Sequence, residues 1–365
     1  MALVILYIVV DRAPSPKQHI PLRSKLARCD PLGAALLVSC LVLLFLALEW
    51  GGNVLPYSSP QVWGCFLGSG ILLGAFSASQ AMKKDNGVIP VRLLRQRTVA
   101  MCCVFSALYG MANVTHITLL PTYLQTVHGV SATLSGVFQL PTTLSNLASI
   151  TLTGLAISAW GHYVPFLCSG PLVYLVGAVL FQQLRADSSR AQYIGYQVPV
   201  GAGFGIAIHS SMLAVQAVTT PADMAVASVM EVFSGQLGRA VGISVAQSLF
   251  VQTLRRGLRR IVPADEAGGF ADEGLEGMVE AMGRLDEPLR KEFRQVLNKA
   301  LTTAFVVPVA ATAAAAVVAW FVEWRTIDVT KGKKKPPGQD ETSASQPTSE
   351  ASKEHEEGKE EKILN

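Results

Sequence analysis

Leu119-Leu-Pro-Thr-Tyr-Leu-Gln-Thr-Val-His-Gly-Val-Ser-Ala-Thr-Leu-Ser-Gly-Val-Phe-Gln-Leu-Pro141 spans the end of one long apolar run and the start of the next. Only six uncharged residues, Thr126 to Ser131, separate the two runs. A connection that short between long helices makes them antiparallel neighbours, so the stretch is expected to be a tight helical hairpin. The runs themselves are long enough to cross a bilayer, which needs about 20 mostly apolar residues per helix. The rest of the chain repeats this pattern.

Half of the 365 residues are hydrophobic, 15% are charged, and the mean hydropathy is +0.37. A soluble domain carries about a quarter charged residues. Here the charges gather in short clusters between uncharged stretches, so the expected fold class is all-α, polytopic and membrane-embedded. The net charge of +4 does not mark a nucleic-acid binder, because the basic residues flank apolar runs instead of lining one face. Cys29, Cys40, Cys65, Cys102, Cys103 and Cys168 show no metal-ligand spacing and read as small hydrophobes. No cofactor or metal is expected, and no cluster of residues points to an enzyme.

Outward from the hairpin, eight full spans are expected: Pro31–Trp50, Gln61–Met82, Thr98–Gln125, Ala132–Trp160, Tyr163–Leu184, Gln192–Val218, Met224–Leu254 and Lys299–Trp324. Residues 1–10 are apolar but too short to span, and they read as the end of a helix that begins elsewhere. A polar loop, 11–30, follows. A charged loop, 255–298, separates the last two spans, and a Ser/Glu/Lys-rich tail, 325–365, has the composition of a disordered segment. The loops 11–30 and 83–97 hold five basic residues each, whereas 51–60 and 126–131 hold none. Basic short loops stay in the cytosol, so 11–30, 83–97 and the tail are expected there and 255–298 outside.

The hairpin stretch, with Ser135-Gly136-Val137 and Leu140-Pro141, resembles the fungal major facilitator superfamily, in its fourteen-helix drug:proton antiporter (DHA2-like) branch. Further stretches in the same order carry the resemblance: Lys25 to Asp30 leading to Leu46-Ala-Leu-Glu-Trp-Gly-Gly52, Gly195 to Gly205 with Ala214-Val-Gln216, and Phe233 to Gly238 with Gly242. The resemblance implies that residues 31–82 are the branch's two added helices and 98–324 its six-helix second half. It also implies that 1–10 is the end of a sixth helix, so that five helices of such a transporter precede this sequence. The motif Gly-x-x-x-Asp-Arg-x-Gly-Arg-Lys is degenerate here: only Gly154 and Gly161 match, with Ser158, Ala159, His162 and Tyr163 elsewhere.

The function implied is secondary active, proton-coupled efflux of a hydrophobic or amphipathic small molecule (a drug, toxin or secondary metabolite), at the plasma membrane. The partners implied are the lipid bilayer, the substrate and protons, with self-association left open. The alternative is a non-transporting fragment of such a protein. Transporters of this kind bind substrate near the midplane between repeats, and polar residues inside spans are costly and worth naming. Asn113 and His116 share a helix face, as do His209 and Gln216. Glu231 lies on one face with Gly235, Gly238 and Gly242 at 100° per residue, and Arg239 lies mid-span off that seam. These six polar residues are the candidates for a substrate or proton pathway, each weighed against a purely structural hydrogen bond or ion pair. Gly201, Gly203 and Gly205, like Gly235, Gly238 and Gly242, are expected to let helices pack closely. No strand or Walker lysine accompanies the Gly-x-Gly-x-Gly run, so it does not read as a nucleotide loop.

Overall fold

The computed structural model describes residues 30–51, 55, 59–83, 90–261 and 286–324. The expectations for 1–10, for 11–29 and for the tail fall outside the described residues. Apart from isolated bridge residues (Gly51 paired with Leu55, and His162), all regular structure among the described residues is helical.

An outer pair is formed by α1 (Pro31–Trp50) and α2 (Pro60–Lys83). Asp30 starts α1, its carboxylate accepting from the Gly33 N–H at 2.9 Å, and Pro31 sits in the first turn where no donor is needed. The same carboxylate accepts from Gln80 Nε2 at 3.0 Å and pairs with Lys83. One acid thus caps α1 and clasps it to the end of α2. Midway along, Ser69 donates to the Cys40 carbonyl at 3.1 Å and Cys40 donates to the Ser69 carbonyl at 3.3 Å. Most of the remaining surface of the pair is apolar and exposed, as expected of lipid-facing helices.

After a single turn, α3 (Val91–Leu94), come α4 (Arg97–Thr126), α5 (Ala132–Val137), α6 (Leu140–Trp160), α7 (Val164–Gln182) and α8 (Arg190–Val218). The 35-residue α9 (Met224–Leu258), α10 (Glu287–Ala304) and α11 (Val306–Ala319) complete the bundle. α4 is its centre, packed against α9, α11 and α8, while α8 in turn packs on α7 and α6. Tyr109, Tyr123, Tyr174 and Phe105 are fully buried in the core around it.

The hairpin forms as the sequence implies. α4 ends at Thr126, Gly129 takes φ 64°, and Ser131 caps α5 through the Leu134 N–H. Gln125 bonds Ser135 and Gln139 bonds Ile117, so a rise along one arm is a descent along the other. The second arm is broken at Phe138-Gln139, between α5 and α6. The break matters because Pro121 has no N–H to offer the Ile117 carbonyl one turn back, and Gln139 Nε2 donates to that carbonyl at 3.0 Å.

Two expectations need correction. Seven helical stretches among the described residues, not eight, are long and apolar enough to cross a membrane. The exception is α9, which is about 52 Å long at 1.5 Å per residue but carries Glu231, Gln236, Arg239, Gln247 and Gln252. The stretch 255–298 is also not loop throughout: α9 runs on to Leu258 and α10 begins at Glu287. α10 is charged on one side, while Phe293, Leu297, Ala300, Leu301 and Ala304 recur at helical spacing and are buried, chiefly against α9.

Candidate functional site

The seam between α4 and α9 places the polar residues of α9. A Cβ added to Gly242 would come within 2.7 Å of Met111 Cα, and one on Gly238 would meet the Ala107 backbone. Gly110 of α4 closes the seam from the other side, against the Gly235 carbonyl. Backbones this close leave no room for side chains, so Glu231 and Arg239 sit at the ends and edge of the contact. On α8 the glycines divide by side. Gly201 and Gly205 abut Thr142, Ser145 and Asn146 of α6, whereas Gly203 abuts Gly170 and Tyr174 of α7.

Glu231 is only 3% exposed. Ser106 of α4 donates to its Oε1, and Ser211 of α8 donates to the same oxygen at 3.0 Å. Its hydrogen-bond partners are hydroxyls, and no cation pairs with it among the described residues. This carboxylate lines a cavity of about 280 Å³ with His209 of α8, Gly110 of α4, and Gly235 and Arg239 of its own helix.

A second cavity, of about 250 Å³, lies between α4, α6, α7, α8 and α9. Asn113, His116, Gln139, Asn146, Phe204 and Arg239 are in its wall. Asn113 and His116 are 4% and 3% exposed. His116 Nδ1 meets the Tyr174 hydroxyl at 2.7 Å, and its ring lies on Phe305 with centroids 5.4 Å apart. His116 Nε2, Asn113 Oδ1 and Asn146 Oδ1 have no partner. Thr142 donates to Gln197, whose own amide donates to the Tyr193 carbonyl. Phe204 and Arg239 belong to both cavities and form the wall between them.

The structure therefore gathers Asn113, His116 and Arg239 around one cavity and His209, Glu231 and Arg239 around the other. Gln216 lines neither. Ser106, Gly110, Gln139, Asn146, Tyr174 and Ser211 were not singled out from the sequence. Asn146 is an in-span amide like Asn113, and the same criterion finds it. Hydroxyls such as Ser106 and Ser211 are too common in membrane helices to stand out.

Two titratable groups outside the spans sit at neighbouring ends. Asp223, before α9, pairs with Arg92 at 2.8 Å, and that hydrogen bond holds its carboxyl below the ordinary value. His128 in the hairpin is pushed down by burial and by Arg294 and Arg190. Its Nε2 lies 3.1 Å from the Tyr123 hydroxyl, within hydrogen-bond distance.

No family model matches the sequence. The MFS-type transporter ltbE of Aspergillus luteorubrus is 36% identical over 334 residues, covering 91% of this chain and 60% of that protein. The MFS acetylaranotin efflux transporter ataA of Aspergillus terreus is 33% identical, covering 77% of this chain and 62% of its own length. The chain is similar to fungal MFS-type transporters. It spans about three fifths of the length of these two curated relatives. Among solved structures, a bacterial homologue of the human lysosomal transporter Spinster, in an inward-facing and unoccupied conformation, aligns with a TM-score of 0.45 at 16% identity. That alignment covers 84% of this chain and 67% of the other. The all-α, multi-pass membrane class expected from the sequence is the class the structure has, and the named relatives are transporters, not enzymes.

Proposed function

We propose that this chain belongs to the DHA2-like branch and supplies the substrate and proton machinery of a secondary exporter. Its cargo is a hydrophobic or amphipathic small molecule and its site of action is the plasma membrane. The observation that carries the reading is Glu231: a carboxylate 3% exposed, held by two hydroxyls and paired with no cation among the described residues, on the wall of a cavity inside the bundle. A buried carboxylate without a counter-ion is expensive in a membrane and serves proton relays. Hydroxyl donors from α4 and α8 let it hold or release a proton without losing its position. Efflux names among the relatives support the direction of transport.

The test exchanges residues 1–365 for the matching segment of the Aspergillus luteorubrus transporter, in yeast loaded with fluorescein through its diacetate. Export of the dye that a protonophore abolishes, and that Glu231→Gln strongly lowers, is the expected result. Export indifferent to both treatments overturns the reading.

A further inference from the structure

Arg239 is the unexplained charge of the bundle. A guanidinium inside a membrane domain needs a partner or water, and among the described residues no carboxylate is paired with it. Glu231, the acid that shares a cavity with it, lies eight residues away, about 12 Å along the helix axis, and is already bonded to Ser106 and Ser211. Arg239 is instead part of the wall that both cavities share.

Around it the second cavity is lined by residues with unsatisfied polar atoms that are independent of its charge. Asn113 Oδ1, His116 Nε2 and Asn146 Oδ1 lack partners, although Asn113 and His116 are more than nine-tenths buried. A buried polar atom without a partner is costly, so three on residues lining one cavity mark a place where a polar ligand completes the bonding. Each asparagine can present its NH2 in place of its oxygen by turning the amide, so both can serve as donors. Phe204 and Phe181 supply flat apolar surface beside them.

We propose that Arg239, Asn113, His116 and Asn146 bind the charged head of an amphipathic organic anion, an aromatic carboxylate whose ring system lies against Phe204 and Phe181. The guanidinium takes the carboxylate as a fork. The amides and the imidazole satisfy its remaining lone pairs or an adjacent hydroxyl. This names the substrate class of the exporter proposed above and rests on that reading for its role in transport, though not for binding itself.

The test is equilibrium binding of tritiated 1-naphthoate to purified residues 1–365 in lipid nanodiscs, with 1-naphthamide and 1-naphthylmethylammonium as competitors. Saturable binding is expected, with the amide and the cation competing at least about ten-fold more weakly than unlabelled naphthoate, as loss of a charge-assisted pair implies. Arg239→Gln should weaken naphthoate about ten-fold and leave naphthamide unchanged, Arg239→Lys should recover part of the loss, and Asn146→Ala should cost a few-fold. Should Arg239→Gln not fold, the lysine and alanine variants carry the same comparison. No saturable binding, equal competition by the cation, or variants that bind naphthoate like the wild type would overturn the proposal. The two readings fail separately. Arg239-dependent binding without fluorescein export leaves the site and removes the exporter, and export that ignores Arg239 does the reverse.

Discussion

The outer pair and the inner bundle solve the same problem in opposite ways. In the apolar stretches of α1 and α2 only 17% of the residues are buried, against 61% in α4, the bundle's central helix. The pair keeps its polar contacts few and local: a reciprocal bond at Cys40 and Ser69 and a clasp at Asp30. The bundle brings Asn113, His116, Gln197, Ser106, Ser211 and Glu231 inside from three different helices. Lipid tails are as apolar as leucine, so burial of apolar surface does not hold helices together there. Close backbone packing and polar bonds do. The bundle invests heavily in both, and the pair needs only enough to stay paired.

Glycines break this comparison most sharply. Gly238→Leu drives a side chain into the Ala107 backbone, and overpacking of this kind costs about 1–3 kcal/mol or more. The expected outcome is loss of monodisperse protein in detergent size-exclusion. A Cβ at Gly74 in α2 meets nothing within 4 Å, so Gly74→Leu should leave the profile unchanged. Equal effects at the two sites would erase the distinction drawn between pair and bundle.

Next in size is Glu231→Gln, which keeps an oxygen for Ser106 and Ser211. Under the exporter reading proposed above, folded yield should stay near wild type while export falls on the order of ten-fold, a barrier change of about 1.4 kcal/mol. A fall in yield equal to the fall in export would make Glu231 a packing residue like its glycine neighbours.

The clasp of the pair gives a smaller, pH-dependent effect. The Lys83 hydrogen bond and the Gly33 N–H bring Asp30 down to about 2, against about 3.9 in an unfolded chain. A depressed carboxyl contributes fully above the unfolded value and loses its contribution as pH falls through the folded one. Fluorescence transfer between dyes at residues 34 and 79 should therefore hold steady above about pH 4 and fall toward pH 2. Asp30→Asn should remove that pH dependence.

Smallest of all is the exposed Arg92–Asp223 pair. Exposed ion pairs contribute little, and Asp223→Asn should leave the melting temperature unchanged within error.

Much of this comparison was legible in the sequence, because bilayer thickness imposes length and apolarity on every span. The hairpin, the start of α1 at Pro31 and the small-residue face of α9 follow from local spacing. The limits of α9 and α10 did not. A helix buried by neighbours tolerates Glu231 and Arg239, and an amphipathic helix such as 287–304 looks like a loop to any reading that seeks apolar runs. Partners set by tertiary contact were equally hidden. Nothing near Ser106 or Ser211 in sequence announces a carboxylate from a third helix, and nothing near Arg239 announces a wall between two cavities.

The bond from Gln139 to the Ile117 carbonyl also bears on biogenesis. A backbone carbonyl without a donor costs several kcal/mol in hydrocarbon, and Pro121 leaves the Ile117 carbonyl without its helical donor in the last third of α4. Its donor is made 22 residues later, so α4 alone is an unfinished guest in the bilayer. The two arms of the hairpin are best inserted together, the second closing a gap that the first was synthesised with.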